Sequence, residues 1–298
     1  MNRKRALMYG GITLSMLFWS LSFVGYKVAY RYFEPMALVF LRMVLASFFL
    51  YILIRLTGQS EKIRREDYGR FLLLAFFEPL LYFLGESYGM TLVSSTTGAV
   101  IVSTIPLLTP LAAFILFRDR ITWIKMTGIL ISFVGVCLVL VGRDLKLTAP
   151  PLGVGLMFLA VFSAVAYTGV IVDLTKKYNS ITIILMQSIL GAIYFLPIFI
   201  FTDLKETLSI HFSWEVILPL LFLAIFPSSL SFIFYTGAIR EIGITRANVF
   251  TNFIPVFTAI FSFLILSEPF SRGKLLGIPV VLAGLMLTQV SLKKKLPV

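Results

Sequence analysis

The sequence predicts an all-α integral membrane protein in which ten transmembrane helices form two five-helix repeats of inverted topology. Three observations lead to this fold class. Hydrophobic residues make up 59% of the 298-residue chain and charged residues only 13%, apolar runs of membrane-spanning length follow one another from end to end, and the second half repeats the first at a constant offset. Such a composition is typical of a polytopic membrane protein.

Each predicted span is an apolar window of about 20 residues, the length that crosses about 30 Å of hydrocarbon. In chain order the ten windows are residues 7–28, 36–55, 70–90, 97–117, 122–142, 151–172, 181–201, 215–237, 247–267 and 273–292. The first window follows a basic start, as in a secretory signal, but its apolar part is longer and no small-residue cleavage site follows it. We therefore expect the first helix to be retained.

The distribution of Lys and Arg predicts the orientation of these helices. If the N-terminus is cytoplasmic, the segments on that side carry 18 basic residues and the segments on the other side carry seven. Because loops rich in Lys and Arg stay inside, we expect both termini in the cytoplasm and a multi-pass protein of the cell (inner or plasma) membrane. The net charge of +12 is spread over these loops, which fits the lipid bilayer as a partner and not nucleic acid.

An internal repeat appears when the sequence is shifted by 149 residues. The shift aligns Thr96 with Thr245 and Pro106 with Pro255, and it keeps its register through the glycines of the fifth and tenth spans. Five spans per repeat is an odd number, so the second copy crosses the membrane in the opposite sense to the first. The predicted domains are a first repeat, a linker and a second repeat over residues 7–142, 143–150 and 151–292. In inverted-repeat transporters the binding site lies near the midplane between the repeats.

Two carboxylates, Glu78 and Glu86, interrupt the otherwise apolar third span, where a charge costs about 2.5–3.5 kcal/mol. At 1.5 Å per residue, Arg42 of the second span lies roughly 9 Å below the outer boundary, Glu86 roughly 6 Å and Glu78 roughly 18 Å. Arg42 and Glu86 are therefore predicted to form one unit, either as a structural ion pair or as part of the site. Glu78 lies near the midplane without a basic partner at its own depth, although tilt leaves a contact with Arg42 open. Intramembrane ionisable groups usually mark pathways, so Glu78 is the predicted proton- or substrate-binding residue.

The spacing of Glu78, Tyr82 and Glu86 puts them on one side of a helix, which we expect to face the bundle interior. Pro79 removes a backbone hydrogen bond directly after Glu78 and is expected to kink the helix. Kinks are expected at two further prolines, Pro106 and Pro255. Other polar candidates, which in membrane helices are more often interhelical contacts than ligands, are Trp19, Ser20, Ser22, Tyr167, Thr168, Asn248 and Asn252.

Signatures of enzymes and of ATP-driven pumps are missing from the sequence. With one histidine, His211, and one cysteine, Cys137, the chain cannot assemble a His/Cys metal cluster or an internal disulfide. It also has no phosphate-binding Gly-Lys loop and no GxSxG motif. We therefore expect no enzyme activity, no metal and no cofactor.

Several ordered motifs resemble the drug/metabolite transporter superfamily, specifically its EamA-type ten-helix branch. These are the stretch WSLSFVGYKVAYRYFEPMALVFLRMVLA with its Arg in the second span, an acidic residue closing each fourth span in FRDRIT and LSEPFS, and the glycine-spaced fifth spans GILISFVGVCL and GIPVVLAGLML. Asp119 stands where the family commonly has Glu. The resemblance covers nearly the whole chain, and it implies a secondary transporter, most often an exporter, with a central cavity lined by the first four helices of each repeat.

The predicted function is therefore a secondary membrane transporter that exports small amphipathic metabolites, amino acid-like or drug-like, with proton coupling through an intramembrane Glu. A carboxylate that binds either a proton or a cationic substrate can couple their movements in opposite directions. Two alternatives stay open: a lipid-linked flippase, and a non-transporting membrane protein such as a scaffold or an enzyme with an unfamiliar site. The oligomeric state is expected to be a monomer or a homodimer.

Overall fold

The computed structural model describes residues 3–117, 122–141 and 147–289. Within these ranges the chain is built from α-helices without a β-strand, and the predicted fold class is confirmed. Asp119 and residues 143–146 of the predicted linker lie outside the described residues.

Ten long helices, several of them interrupted, follow one another in the described residues and are numbered here in chain order. A 3-10 turn, Arg65–Asp67, precedes the third, and a short helix, Leu204–Leu208, lies between the seventh and the eighth. The ten helices are α1 (Arg3–Ala29), α2 (Pro35–Thr57), α3 (Tyr68–Ala75, Phe76–Leu81 and Tyr82–Leu92), α4 (Ser95–Val102 and Ile105–Phe117), α5 (Trp123–Leu140), α6 (Pro151–Thr175), α7 (Ser180–Thr202), α8 (Trp214–Ile225, Phe226–Leu230 and Ser231–Ile242), α9 (Ile244–Phe250, Thr251–Phe253 and Ile254–Leu266) and α10 (Arg272–Gln289). Eight of them, α1–α3 and α5–α9, are long and apolar enough to cross a membrane. The protein is a multi-pass membrane protein.

Helices α2 and α7 lie side by side, and each is capped by a carboxylate that follows the other. At one end, Asp203 Oδ2 accepts hydrogen bonds of 2.8 Å from the backbone N–H groups of Met36 and Ala37. At the opposite end, Glu61 Oε2 accepts a hydrogen bond of 2.6 Å from the Asn179 N–H. A negative charge is stabilising at a helix N-terminus, where backbone N–H groups lack partners. The reciprocal caps therefore hold this pair together at both membrane faces.

Helices α5 and α10 pack backbone against backbone. A Cβ added at Gly135 would lie 2.5 Å from the Val281 nitrogen, and the other glycines of this contact, Gly128, Gly277 and Gly284, are equally close to the facing helix. Ser132 Oγ donates a hydrogen bond of 2.9 Å to the Val281 carbonyl, 149 residues away in sequence. Small residues allow such close approach between membrane helices. The repeats thus meet through the same positions that the sequence shift aligns.

Four helices are interrupted at mid-length, in pairs related by the repeat. In α3 the break lies at Glu78, whose φ of −143° and ψ of 112° are not helical, and Pro79 follows it within a π-helical turn. The corresponding turn in α8 contains Pro227, which the 149-residue shift aligns with Glu78. Helices α4 and α9 are interrupted just before Pro106 and Pro255, each of which is the second residue of the helix that resumes. Polar side chains can therefore reach backbone groups at the centre of the bundle.

Candidate functional site

A central cavity of about 100 Å³ lies between the two repeats. In the described residues it is lined by α1–α4 of the first repeat and by α6, α8 and α9 of the second. Its lining begins at the level of Arg42 and Glu86 and extends to Ile171, Ile239 and Ile244, which lie at the helix ends on the same side as the beginning of α1. The cavity therefore runs from the level of Arg42 and Glu86 towards the face that carries the N-terminus.

Side chains from α1 and α6 satisfy backbone carbonyls at two of the helix breaks. Trp19 Nε1 donates a hydrogen bond of 3.1 Å to the Pro227 carbonyl, and Ser163 Oγ donates one of 2.5 Å to the Phe77 carbonyl. Backbone groups freed inside a membrane must find such partners or line a cavity. Trp19 thus lines the cavity and also satisfies a backbone carbonyl at the break in α8.

Arg42 and Glu86 are joined through a third residue, Tyr26, which the sequence analysis did not single out. The Arg42 guanidinium donates to the Tyr26 hydroxyl, and that hydroxyl donates to Glu86 Oε2 at 2.7 Å. Tyr82 donates a second hydrogen bond to the same carboxylate, to Oε1, at 3.0 Å. All four side chains are buried. Arg42, Tyr26 and Glu86 are called the charged triad below, and its two opposite charges share one hydrogen-bonded network.

The remaining contacts of Arg42 come from the second repeat and from aromatic rings. Its Nε and a terminal nitrogen donate to Ser228 Oγ in the α8 break, at 3.2 and 2.8 Å. The guanidinium carbon lies 4.9 Å from the ring centres of both Tyr26 and Phe83. Helix α7 begins 145 residues after α2, and this offset places Gln187 at the position of Arg42, where it accepts a hydrogen bond of 3.2 Å from Tyr167 of α6. The charge is therefore confined to the first repeat, while a tyrosine contact exists in both.

Glu78 lines the same cavity as Glu86 but does not share its hydrogen bonds. Its exposed fraction is 6%, and it lines the cavity together with Tyr82 and Glu86. Among the described residues no hydrogen bond or ion pair reaches its carboxylate, and Arg42 makes its contacts with the charged triad and Ser228 instead. Glu78 is therefore a buried carboxylate without a hydrogen-bond partner among the described residues.

Aromatic side chains form the opposite wall. The Trp19 ring contacts Phe232 and Tyr235 edge-on, with ring centres 5.2 and 5.0 Å apart, and Tyr235 donates a hydrogen bond to Asn248 Oδ1. All four residues line the cavity. These contacts fix the rings in place, so the wall is preformed.

The other candidates divide between the cavity and the packing around it. Ser22, Thr168 and Pro106 line the cavity, as do Tyr167 and Asn248. Ser20 instead donates hydrogen bonds to the Met16 and Ile254 carbonyls, as expected of an interhelical contact. Asn252 is buried in the interruption of α9, and Pro255 begins the helix after it. No group of three or more potential metal ligands occurs among the described residues.

Polar contacts also connect the helices at both membrane faces. On the face away from the N-terminus, Glu268 accepts hydrogen bonds from Ser95 N–H at 2.9 Å and Thr96 Oγ1 at 3.1 Å, and it pairs with Lys274 at 3.2 Å. Burial alone would raise the pKa of Glu268, but these hydrogen bonds and the Lys274 charge together hold it below its ordinary value. On the other face, Asp67 accepts hydrogen bonds from Lys177 and Tyr178 at 2.7 and 2.8 Å.

The family comparison matches both halves of the chain. The family model described as "EamA-like transporter family" matches residues 7–141 and again residues 151–290. One match falls on α1–α5 and the other on α6–α10, so each five-helix repeat corresponds to one copy of the family unit.

Individual relatives cover nearly the full length. A protein of Archaeoglobus fulgidus named "Uncharacterized transporter" is 27% identical over 274 residues, which is 92% of this chain and 95% of the relative. The Bacillus subtilis "Uncharacterized transporter YetK" is 27% identical over 264 residues, or 86% and 78% of the two chains. A crystal structure that is 14% identical superposes with a TM-score of 0.72, covering 95% of this chain and 98% of the other, and it supports the fold alone.

Proposed function

This chain belongs to the EamA-like transporter family, and from that premise we propose that it is a secondary transporter that exports small amphipathic solutes in exchange for protons. The single observation that carries the proposal is Glu78, a carboxylate in the central cavity that no side chain of the described residues neutralises. A group that holds a proton and a solute alternately couples their opposite movements. Intramembrane carboxylates commonly serve proton relays in transporters.

The surroundings of Glu78 support its role as the exchanging group. The titratable and charged side chains that line the cavity together with Glu78 are Tyr82 and Glu86 on α3, Arg42 on α2, Tyr167 on α6 and Tyr235 on α8. Helix α7 packs against the break in α3, and its residue next to Pro79 is Gly191. Arg42 and Glu86 are already bound to each other through Tyr26. Glu78 is thus the carboxylate of the cavity that is available to exchange its ligand.

The orientation supports export. With 18 of the basic residues on the N-terminal side, we propose that both termini are cytoplasmic and that the protein lies in the cell membrane. In this orientation the cavity lining extends to the cytoplasmic helix ends, which supports the binding of solute from the cytoplasm. Reporter fusions at each end test the orientation, and a C-terminal reporter active on the outer side would overturn it.

The decisive experiment measures transport driven by a pH gradient. The purified protein is reconstituted into liposomes, an inward or outward proton gradient is imposed, and solute flux is followed across a metabolite and dye library. We expect Glu78→Gln to insert normally and to lose pH-driven flux, because the amide keeps the shape of the side chain but cannot release a proton. Glu78→Asp should retain part of the flux, with a changed pH dependence.

The control is Glu215→Gln, the same chemical change at an exposed residue at the start of α8. It should transport like the parent protein. A correctly inserted Glu78→Gln protein that transports at the parental rate would remove Glu78 from the mechanism. The absence of flux for any solute would favour the non-transporting alternative, and movement of lipid-linked substrates alone would favour the flippase. We further propose that the protein is not an enzyme, that nucleic acid is not a partner, and that it acts as a monomer or homodimer.

A further inference from the structure

We infer that the solute taken by this site is a monovalent organic amine, protonated or quaternary, with an apolar or aromatic body and no acidic group. The inference rests on the proposed function in one respect only, that the central cavity is the substrate site. It goes further by assigning the charge and shape of the substrate.

The charged residues that line the cavity indicate the sign of the substrate's charge. Its lining contains one guanidinium and two carboxylates, Arg42, Glu78 and Glu86. Arg42 and Glu86 neutralise each other within the charged triad, and Glu86 accepts from both Tyr26 and Tyr82. The negative charge that remains is on Glu78, which is 94% buried by its exposed fraction of 6%. When Glu78 has released its proton, its buried charge is costly unless it is paired, so the solute that takes the place of the proton is a cation.

The aromatic lining gives the nature of that cation. Seven aromatic residues line the same cavity, namely Trp19, Phe23, Tyr82, Phe83, Tyr167, Phe232 and Tyr235. The faces of aromatic rings attract ammonium groups, and such rings commonly surround quaternary ammonium ligands. Inorganic cations prefer several oxygen ligands, and no group of three or more potential metal ligands occurs in the described residues. The wall therefore fits an amine that carries carbon substituents.

The state of Arg42 argues against an acidic group on the substrate. Three of its N–H groups are engaged, two by Ser228 and one by Tyr26, and rings contact its guanidinium at 4.9 Å. A substrate carboxylate would have to replace these contacts and would also introduce a charge of the same sign as Glu78. Like charges brought together in a low-dielectric site repel strongly. An amine without a carboxylate avoids both costs.

Trp19 provides an internal reporter for binding. The chain has three tryptophans, and the other two, Trp123 and Trp214, are 88% and 78% exposed on the outside of the bundle. The variant with Trp123→Phe and Trp214→Phe leaves Trp19, in the cavity wall, as the sole fluorophore. Its emission in detergent is titrated with benzyltrimethylammonium, with benzyl alcohol, with phenylacetate and with phenylalanine, four probes that share a ring and differ in charge.

We expect a saturable change in Trp19 emission with benzyltrimethylammonium and none over the same range with the neutral, anionic or zwitterionic probe. Glu78→Gln in this background should weaken cation binding about thirtyfold, the effect of removing a buried charge partner worth about 2 kcal/mol. Glu78→Asp keeps the charge and should keep the preference for the cation, and Glu215→Gln should bind like the parent. Size-exclusion chromatography verifies that each variant is folded.

Equally tight binding of phenylacetate, phenylalanine or benzyl alcohol would overturn the inference, as would a folded Glu78→Gln protein that binds the cation with unchanged affinity. Equilibrium binding in detergent requires no transport. Selective cation binding without flux in liposomes would therefore refute the proposed function and leave this inference standing. Proton-coupled flux of an uncharged or anionic solute would support the proposed function and refute this inference.

Discussion

Replacing Tyr26 with Phe tests the central electrostatic arrangement most directly. The substitution removes one oxygen atom, which accepts from Arg42 and donates to Glu86 at 2.7 Å, while the ring and its contact with Arg42 remain. Hydrogen bonds to charged groups contribute about 1.5–3 kcal/mol each. Both bonds are buried, and after the substitution Glu86 keeps the Tyr82 hydroxyl and Arg42 keeps Ser228. We therefore expect Tyr26→Phe to lower the free energy of unfolding by about 3 kcal/mol, the sum of two bonds at the lower limit.

Tyr30→Phe is the matched control, because Tyr30 lies four residues after Tyr26, directly after the end of α1, and donates to a neutral acceptor, the Ser87 carbonyl, at 2.9 Å. A neutral hydrogen bond contributes about 1 kcal/mol. Both variants are unfolded with sodium dodecyl sulfate in mixed micelles and followed by circular dichroism. If Tyr26→Phe were no more destabilising than Tyr30→Phe, the bridging hydroxyl would not connect the two charges in solution, and the reasoning would fail.

Three further predictions concern other parts of the fold. Arg42→Ala and Glu86→Gln should each impair stability, since either leaves a buried charge uncompensated, and their combination should be less harmful than the sum in the same unfolding assay; strict additivity would contradict the charged triad. Gly135→Ala should destabilise the protein by about 1–3 kcal/mol, because the added Cβ would lie 2.5 Å from the backbone of the facing helix. The control is Gly169→Ala on α6, where nothing lies within 4 Å of the added Cβ, and it should stabilise the protein by up to about 1 kcal/mol. Similar effects of the two substitutions would argue against the close packing of α5 and α10. The folded-state pKa of Glu268 is lowered, so its stabilisation is fully present above the unfolded value near 4.5 and is lost as the pH falls through the folded value. Melting curves of Glu268→Gln and of the parent should therefore converge on acidification below about pH 4.5 and differ at neutral pH, and a constant difference would refute the assignment.

The depths predicted from the sequence associated Arg42 with Glu86, because both residues lie at similar distances from the outer boundary and an unpaired charge is costly in a membrane. They could not predict that Tyr26 would separate them. A tyrosine in an apolar span fits lipid, interface and interior equally well, and only the packing of α1 against α2 and α3 decides between them. One signal was available: Tyr26 lies in the same sequence motif as Arg42, 16 residues earlier.

The helix breaks were predictable in part. Proline marks each of them, since it removes a backbone hydrogen bond, but Pro79 and Pro227 are not aligned by the repeat, and the break in α3 falls on Glu78 itself. The contact between Ser228 and Arg42 was not predicted either, because Ser228 lies in the irregular turn of α8. Its hydroxyl donates to the Leu223 carbonyl, five residues back, a contact that belongs to a π-helical turn and not to the regular helix that periodicity assumes.

The contact between Ser132 and Val281 has an evolutionary and practical consequence. The two residues occupy one and the same position in successive repeats, so the α5–α10 contact is isologous, a surface meeting its own copy across a twofold axis. A gene encoding only half of this chain would specify a self-complementary surface, and two copies of its product inserted in opposite orientations would pair through it as an antiparallel dimer. The present chain should accordingly tolerate being split within residues 143–150, with the two halves, synthesised as separate polypeptides, reassembling in the bilayer.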